Sequence, residues 1–158
     1  MSIRTLSLPL WVLAFVLAAL AVLPRTAETL ETFDRSELTI VTETGRHDFS
    51  VELARNGRQR AQGLMYRQNM PADHGMLFDY RRSRNVSMWM KNTYIPLDML
   101  FIDAGGTIKG LHERAVPGSL QAISSPGPVR AVLELNGGTV RRLGIKPGDK
   151  VEHPLFTQ

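Results

Sequence analysis

Lys91, Asn92, Thr93 and Asp98 are the residues whose types and spacing could do chemistry in this chain. They form a polar elbow between two apolar, strand-like runs, residues 86–91 and 99–103, with Pro96 inside the connection. Polar and charged groups in so apolar a setting cost on the order of several kcal/mol unless they are hydrogen-bonded. Lys91 and Asp98 could pair across a hairpin-like bend while Asn92 and Thr93 cap the backbone groups it exposes. Alternatively, Lys91 and Asn92 donate to a ligand and Asp98 accepts from it. Trp89 and Tyr94 would then form walls suited to a sugar or a similarly amphipathic molecule.

Other groupings point to other chemistries. Six of the seven methionines fall after the N-terminal segment: Met65, Met70, Met76, Met88, Met90 and Met99. With no cysteine, thioethers and imidazoles are the only soft or borderline ligands. Met88 and Met90 share a face if they lie on a strand, and His74 or His112 could complete a Cu(I) carrier site. Unbranched Met is also a routine core filler, and the histidines at 47, 74, 112 and 153 lack paired spacing, so no metal or cofactor is expected. Asp98, Asp103, Glu113 and Glu134 could supply a carboxylate pair for an enzyme acting on cell-envelope carbohydrate, if two of them faced one cleft. Glu134 has another natural role, an ion pair with Arg60. Ser124-Ser125 lacks a nucleophile-elbow context, and Gly137-Gly138 lacks a dinucleotide fingerprint.

Short strands must position these groups. His47, Phe49, Val51 and Leu53 alternate with Asp48, Ser50 and Glu52, the pattern of a half-buried strand. A short helix is expected over residues 58–65 and a very short one over 140–143. Residues 99–103 are apolar on both faces, which suggests a central strand covered on two sides. Ala104-Gly105-Gly106 marks a hairpin, and residues 107–116 form its return strand. The total is about seven to nine short, mostly antiparallel strands and two short helices, an all-β sandwich or barrel.

The N-terminus carries an address. Arg4 precedes an apolar run from Leu6 to Leu23, which reads as a secretory signal or, if uncleaved, a membrane anchor. Residues 1–27 are assigned to it, 28–36 to a spacer and 37–158 to a single β-sandwich domain. That places the domain in the periplasm or outside the cell, touching membrane only through an uncleaved segment. Without cysteine there are no disulfides, and the core alone must hold the domain together. Removing Arg4 and Arg25 leaves 17 basic residues against 15 acidic ones, a net of +2, too little to argue for nucleic acid as a partner. An unknown small molecule or envelope component is the expected partner.

Several ordered blocks resemble one family, domain of unknown function 192. They are Phe49-x-Val51-x-Leu53, Arg60-Ala61-Gln62-Gly63-Leu64-Met65-Tyr66-Arg67, Gly75-Met76-Leu77-Phe78, Met90-Lys91-Asn92-Thr93 and Ile95-Pro96-Leu97-Asp98. Phe101-Ile102-Asp103, residues 132–138 and Gly144-Ile145-x-x-Gly148-Asp149 follow in order. The resemblance runs from about residue 37 to the C-terminus and implies a compact β-sandwich, often behind a signal sequence, with no activity attached. Gln59 stands where an acid is common and Met88 where an aromatic is usual.

Overall fold

The computed structural model describes residues 30–156; the expected signal or anchor segment lies outside them. Nine strands and two short helices follow in chain order. They are β1 (Asp34–Thr42), β2 (Gly45–Ala54), α1 (Gly57–Gln62), β3 (His74–Arg84), β4 (Ser87–Met88), β5 (Leu97–Ile102), β6 (Ile108–Ala115), β7 (Ile123–Ser124), β8 (Val129–Asn136), α2 (Thr139–Leu143) and β9 (Lys150–Glu152). The chain is mostly β, as its alternating pattern predicts. β1 begins at Asp34, so the end of the expected spacer is already strand.

Seven strands make one sheet in the order β6-β5-β8-β3-β2-β1-β9, and β4 pairs with β7 in a second, two-stranded sheet. Only β2 and β3 are parallel, a pairing that requires a crossover, and α1 lies within that connection. The large sheet curls until its edges meet. Thr107 bridges Lys150, the Ile108 amide donates to Asp149 O at 3.0 Å, and the Val151 amide donates to Gly106 O at 2.8 Å. Of the two architectures expected, sandwich and barrel, this closure selects the barrel, and it protects both edge strands.

Strand alternation then divides the apolar residues into two cores. Leu38, Ile40, Val51, Leu77, Leu100 and Leu133 belong to the inner one, which Val140 and Ile145 join from α2 and the turn after it. Met76, Phe78, Met99, Phe101 and Val132 point to the other face, where Leu64, Val86 and Met90 pack over them. β5 serves both cores, and all six of its residues are buried. That is why residues 97–102 read as apolar without a period.

α1 is shorter than its sequence pattern suggests. Asn56 caps it by accepting the Gln59 amide at 2.9 Å, and the Gln59 side chain accepts the Asn56 amide at 3.2 Å. Gln59 therefore does the work of the acid common at that position. The helix stops at Gly63, whose φ of 50° suits glycine and whose missing side chain leaves room for Phe78. The strand expected over 86–91 is also shorter, because the Met90 amide donates to Ser119 O and the chain bends there. The basic stretch after Asp79 continues β3 through a bulge at Arg81 (φ 64°).

Candidate functional site

The elbow between β4 and β5 is fastened on several sides. Thr93 N donates to Met90 O at 3.0 Å to close the bend, and Gly118 N donates to Met90 O and Thr93 O, each at 3.1 Å. On the α1 side, Tyr66 N donates to Asn92 O at 2.8 Å and Asn92 Nδ2 donates to the Tyr66 hydroxyl at 3.0 Å. Asn92 (φ 53°) and Tyr66 (φ 67°) both hold left-handed backbone, a conformation Asn tolerates better than an aromatic does. These bonds offset the strain and fix the bend.

Around this frame stand three aromatic rings, each about half exposed: Trp89 at 50%, Tyr94 at 50% and Tyr66 at 46%. Tyr66 and Tyr94 meet edge to face with centroids 6.3 Å apart, and Lys91 Nζ sits 5.3 Å from the Trp89 ring centroid. Thr93 is buried and donates to Lys91 O. The fold thus brings Trp89, Lys91, Asn92, Thr93 and Tyr94 to one place and adds Tyr66. Nothing local in the sequence marked Tyr66, because 26 residues separate it from Asn92.

Asp98 does not join them. It is fully buried, and its Oδ1 accepts the amides of Arg114 (2.8 Å) and Gly138 (3.0 Å) while Oδ2 accepts those of Gly138 (2.9 Å) and Val140 (2.8 Å). Gly138, the N-cap residue of α2, has no side chain to cap with, and the Asp98 carboxylate satisfies the helix's first amides from a neighbouring strand. The expected Lys91–Asp98 pair and the acceptor role toward a ligand are both displaced by this structural one. Strand geometry is the cause: Asp98 pairs in register with Leu135 on the inner face, away from the elbow.

The expected Arg60–Glu134 ion pair does not form either; the ion pairs among the described residues leave both side chains out. Arg60 Nη1 donates to Arg55 O (2.9 Å) and Asp79 O (3.0 Å), and its guanidinium lies 5.4 Å from the Tyr80 ring centroid. Glu134 is 3% exposed, flanked in register by Met76 of β3 and Met99 of β5. Its carboxyl accepts no hydrogen bond from any described residue, yet its oxygens are not sealed in. They open on a narrow crevice of about 20 Å³ whose walls include Met65, Met88, Trp89 and Thr93, directly below the elbow. Burial pushes the Glu134 carboxyl up to about 8 and the Tyr80 phenol up to about 12.

The remaining candidates scatter. Met90 is fully buried while Met88 lies at the crevice and accepts from the Tyr80 hydroxyl at 3.3 Å, so these two methionines do not present one open face. His74 bonds Asp73, and His112 lines a separate groove of about 480 Å³ beside β6. The copper set read from sequence is therefore not assembled. Asp103 accepts the Gly105 and Thr107 amides in its own turn, and Glu113 lies 4.0 Å from Arg141 on the surface. With Asp98 inward and Glu134 outward, the four acids do not provide a carboxylate pair in one cleft. Among the described residues, no cluster of three His, Asp or Glu side chains could hold a metal ion.

Comparison with known proteins bears on the whole β domain. The family described as Uncharacterized ACR, domain of unknown function 192, matches residues 39–153. A crystal structure of a candidate transcription regulator from Sinorhizobium meliloti 1021 is 54% identical, with a TM-score of 0.76 over 78% of this chain and 97% of that one. A protein of unknown function from Novosphingobium aromaticivorans DSM 12444 is 39% identical, also at a TM-score of 0.76, over 86% and 96%. None of the curated proteins matches the chain.

Proposed function

This chain belongs to the domain of unknown function 192 family, and from that premise we propose that it is an exported, non-catalytic binding domain. Its elbow holds a carbohydrate-like ligand of the cell envelope. One observation carries this: Trp89 and Tyr94 of the bend and Tyr66 of a segment bonded to it are each about half exposed, on a bend held rigid by backbone bonds from two other segments. An aromatic side chain can bury roughly 150–250 Å², so covering the free half of each removes about 100 Å² from water. At about 25 cal/mol per Å² that contributes roughly 2–3 kcal/mol per ring before association costs. Asn92 and Lys91 supply donors at the rim, and apolar walls with a few polar groups suit an amphipathic ligand.

Isothermal titration of the protein with defined cell-wall glycan fragments tests this. Trp89→Ala should weaken binding by about tenfold or more, since hot-spot aromatics carry at least ~1.4 kcal/mol. Absence of binding across the fragments, or undiminished binding by the Trp89 variant, removes the proposal. Export is tested separately by locating the processed chain in the periplasmic fraction.

The description of the Sinorhizobium relative raises a nucleic-acid reading for that protein. Here the corresponding feature would be the exposed Arg81, Arg82 and Arg84 at the end of β3. A parallel titration with duplex DNA at physiological salt separates the two: steep salt-dependent binding would favour the basic edge over the elbow.

A further inference from the structure

A buried acid without a partner is the feature that the aromatic elbow leaves unexplained. Glu134 is 3% exposed, and it shares the crevice with Met65, Met88, Phe78, Trp89, Thr93 and Arg60. The charged or titratable groups near it are Arg60 and Tyr80. Arg60 lines the same crevice, but the Arg55 and Asp79 carbonyls and the Tyr80 ring already engage its guanidinium. The Tyr80 hydroxyl donates to Met88 Sδ. Arg60 Nη1 and the Tyr80 hydroxyl are thus committed elsewhere, and no described residue donates to the Glu134 carboxyl, which leaves it open to an external donor.

The size and the walls of the crevice say what kind. About 20 Å³ holds one water-sized group, so a sugar ring stays outside while a single substituent can enter. Trp89 forms one wall, and its ring already attracts an ammonium, that of Lys91 at 5.3 Å. We propose that the crevice selects ligands carrying a free primary amine, whose ammonium donates to Glu134 as the carboxyl releases its proton to solvent, while the rest of the ligand packs on the elbow. This rests on the elbow being the ligand site. An amide-blocked amine is rejected twice over, by its bulk and by its lost charge.

The test titrates the full chain at pH 7 with a glucosamine oligomer and with its N-acetylated counterpart of equal length. The free-amine oligomer should bind about tenfold more tightly or better, the effect expected of one buried charge-assisted hydrogen bond. Glu134→Gln should erase that preference to within about twofold while leaving the N-acetylated oligomer unaffected. A thermal melt checks that this variant is folded. Equal affinity for the two oligomers, or a preference that survives Glu134→Gln, overturns the amine inference and leaves the elbow as a binding site. If neither oligomer binds, the inference falls together with the carbohydrate reading.

Discussion

Asp98→Asn isolates the bond network that holds α2 on the barrel. The carboxylate accepts from three amides through four contacts of 2.8–3.0 Å, with no described cation opposite it. Asn keeps the size of the side chain but replaces one acceptor oxygen with an NH2. Whichever way it turns, donor then faces donor, at the Gly138 and Val140 amides or at those of Arg114 and Gly138. Losing two hydrogen bonds to a charged group at roughly 1.5–3 kcal/mol each gives a destabilisation of about 3–6 kcal/mol. That is a large share of the ~5–15 kcal/mol that holds a typical domain together. Urea unfolding followed by circular dichroism should show the midpoint falling by about 2 M for a slope near 2 kcal/mol/M. Amide exchange should quicken at Arg114, Gly138 and Val140 before other sites. A stability within ~0.5 kcal/mol of the parent, the range of an ordinary surface substitution, would falsify the anchoring role. So would unchanged stability accompanied by lost ligand binding, which would return Asp98 to the elbow.

Glu134→Gln makes a prediction with a definite sign in pH. The folded carboxyl titrates at about 8 because burial disfavours its charge, against 4.5 when unperturbed. Between these values the folded state holds a proton that the unfolded state has released, so stability falls as pH rises through that window and levels off above 8. The Gln variant lacks this slope, and above pH 8 it should be the more stable protein by a few kcal/mol, on the order expected for a shift of several units. Parallel melts at pH 5, 7 and 9 check it; equal slopes for the two proteins would rule out the buried, unpaired acid. Gly75→Ala tests the packing of β3 on β8. A Cβ there would lie 2.6 Å from the Glu134 carbonyl oxygen and 2.7 Å from Leu135 Cδ2. Since backbone cannot yield as a flexible side chain can, a loss of about 1–3 kcal/mol is expected by thermal melt, and a neutral result would mean the strands are further apart.

Much of the fold was legible along the chain. The alternation of Phe49, Val51 and Leu53 and the two-sided apolar run of β5 identify strands because a pleat sends neighbours to opposite faces. Gly138, whose backbone takes positive φ, marks the start of α2, whereas Gly63 ends α1 short of the expected residue 65. The partnerships were less legible. Arg60 and Glu134 have complementary charges and do share a crevice wall, but carbonyls freed at the end of β2 and at the β3 bulge take the guanidinium first. Met88 and Met90 diverge because the bend at Met90 ends the strand that would have aligned them.

The chain by itself determined the all-β class, the family, and the segment where polar groups interrupt two apolar strands. Those properties are local, set by period, turn residues and motif order. Closure of the sheet into a barrel decided the rest, because it assigned each strand position to an inner or an outer face. Asp98, part of the elbow in sequence, went inward to hold a helix by its amides. Glu134, some forty positions from the elbow, came to lie beneath it, and Tyr66 joined the rim. Register across strands, which no single segment encodes, exchanged one acid for another at the site.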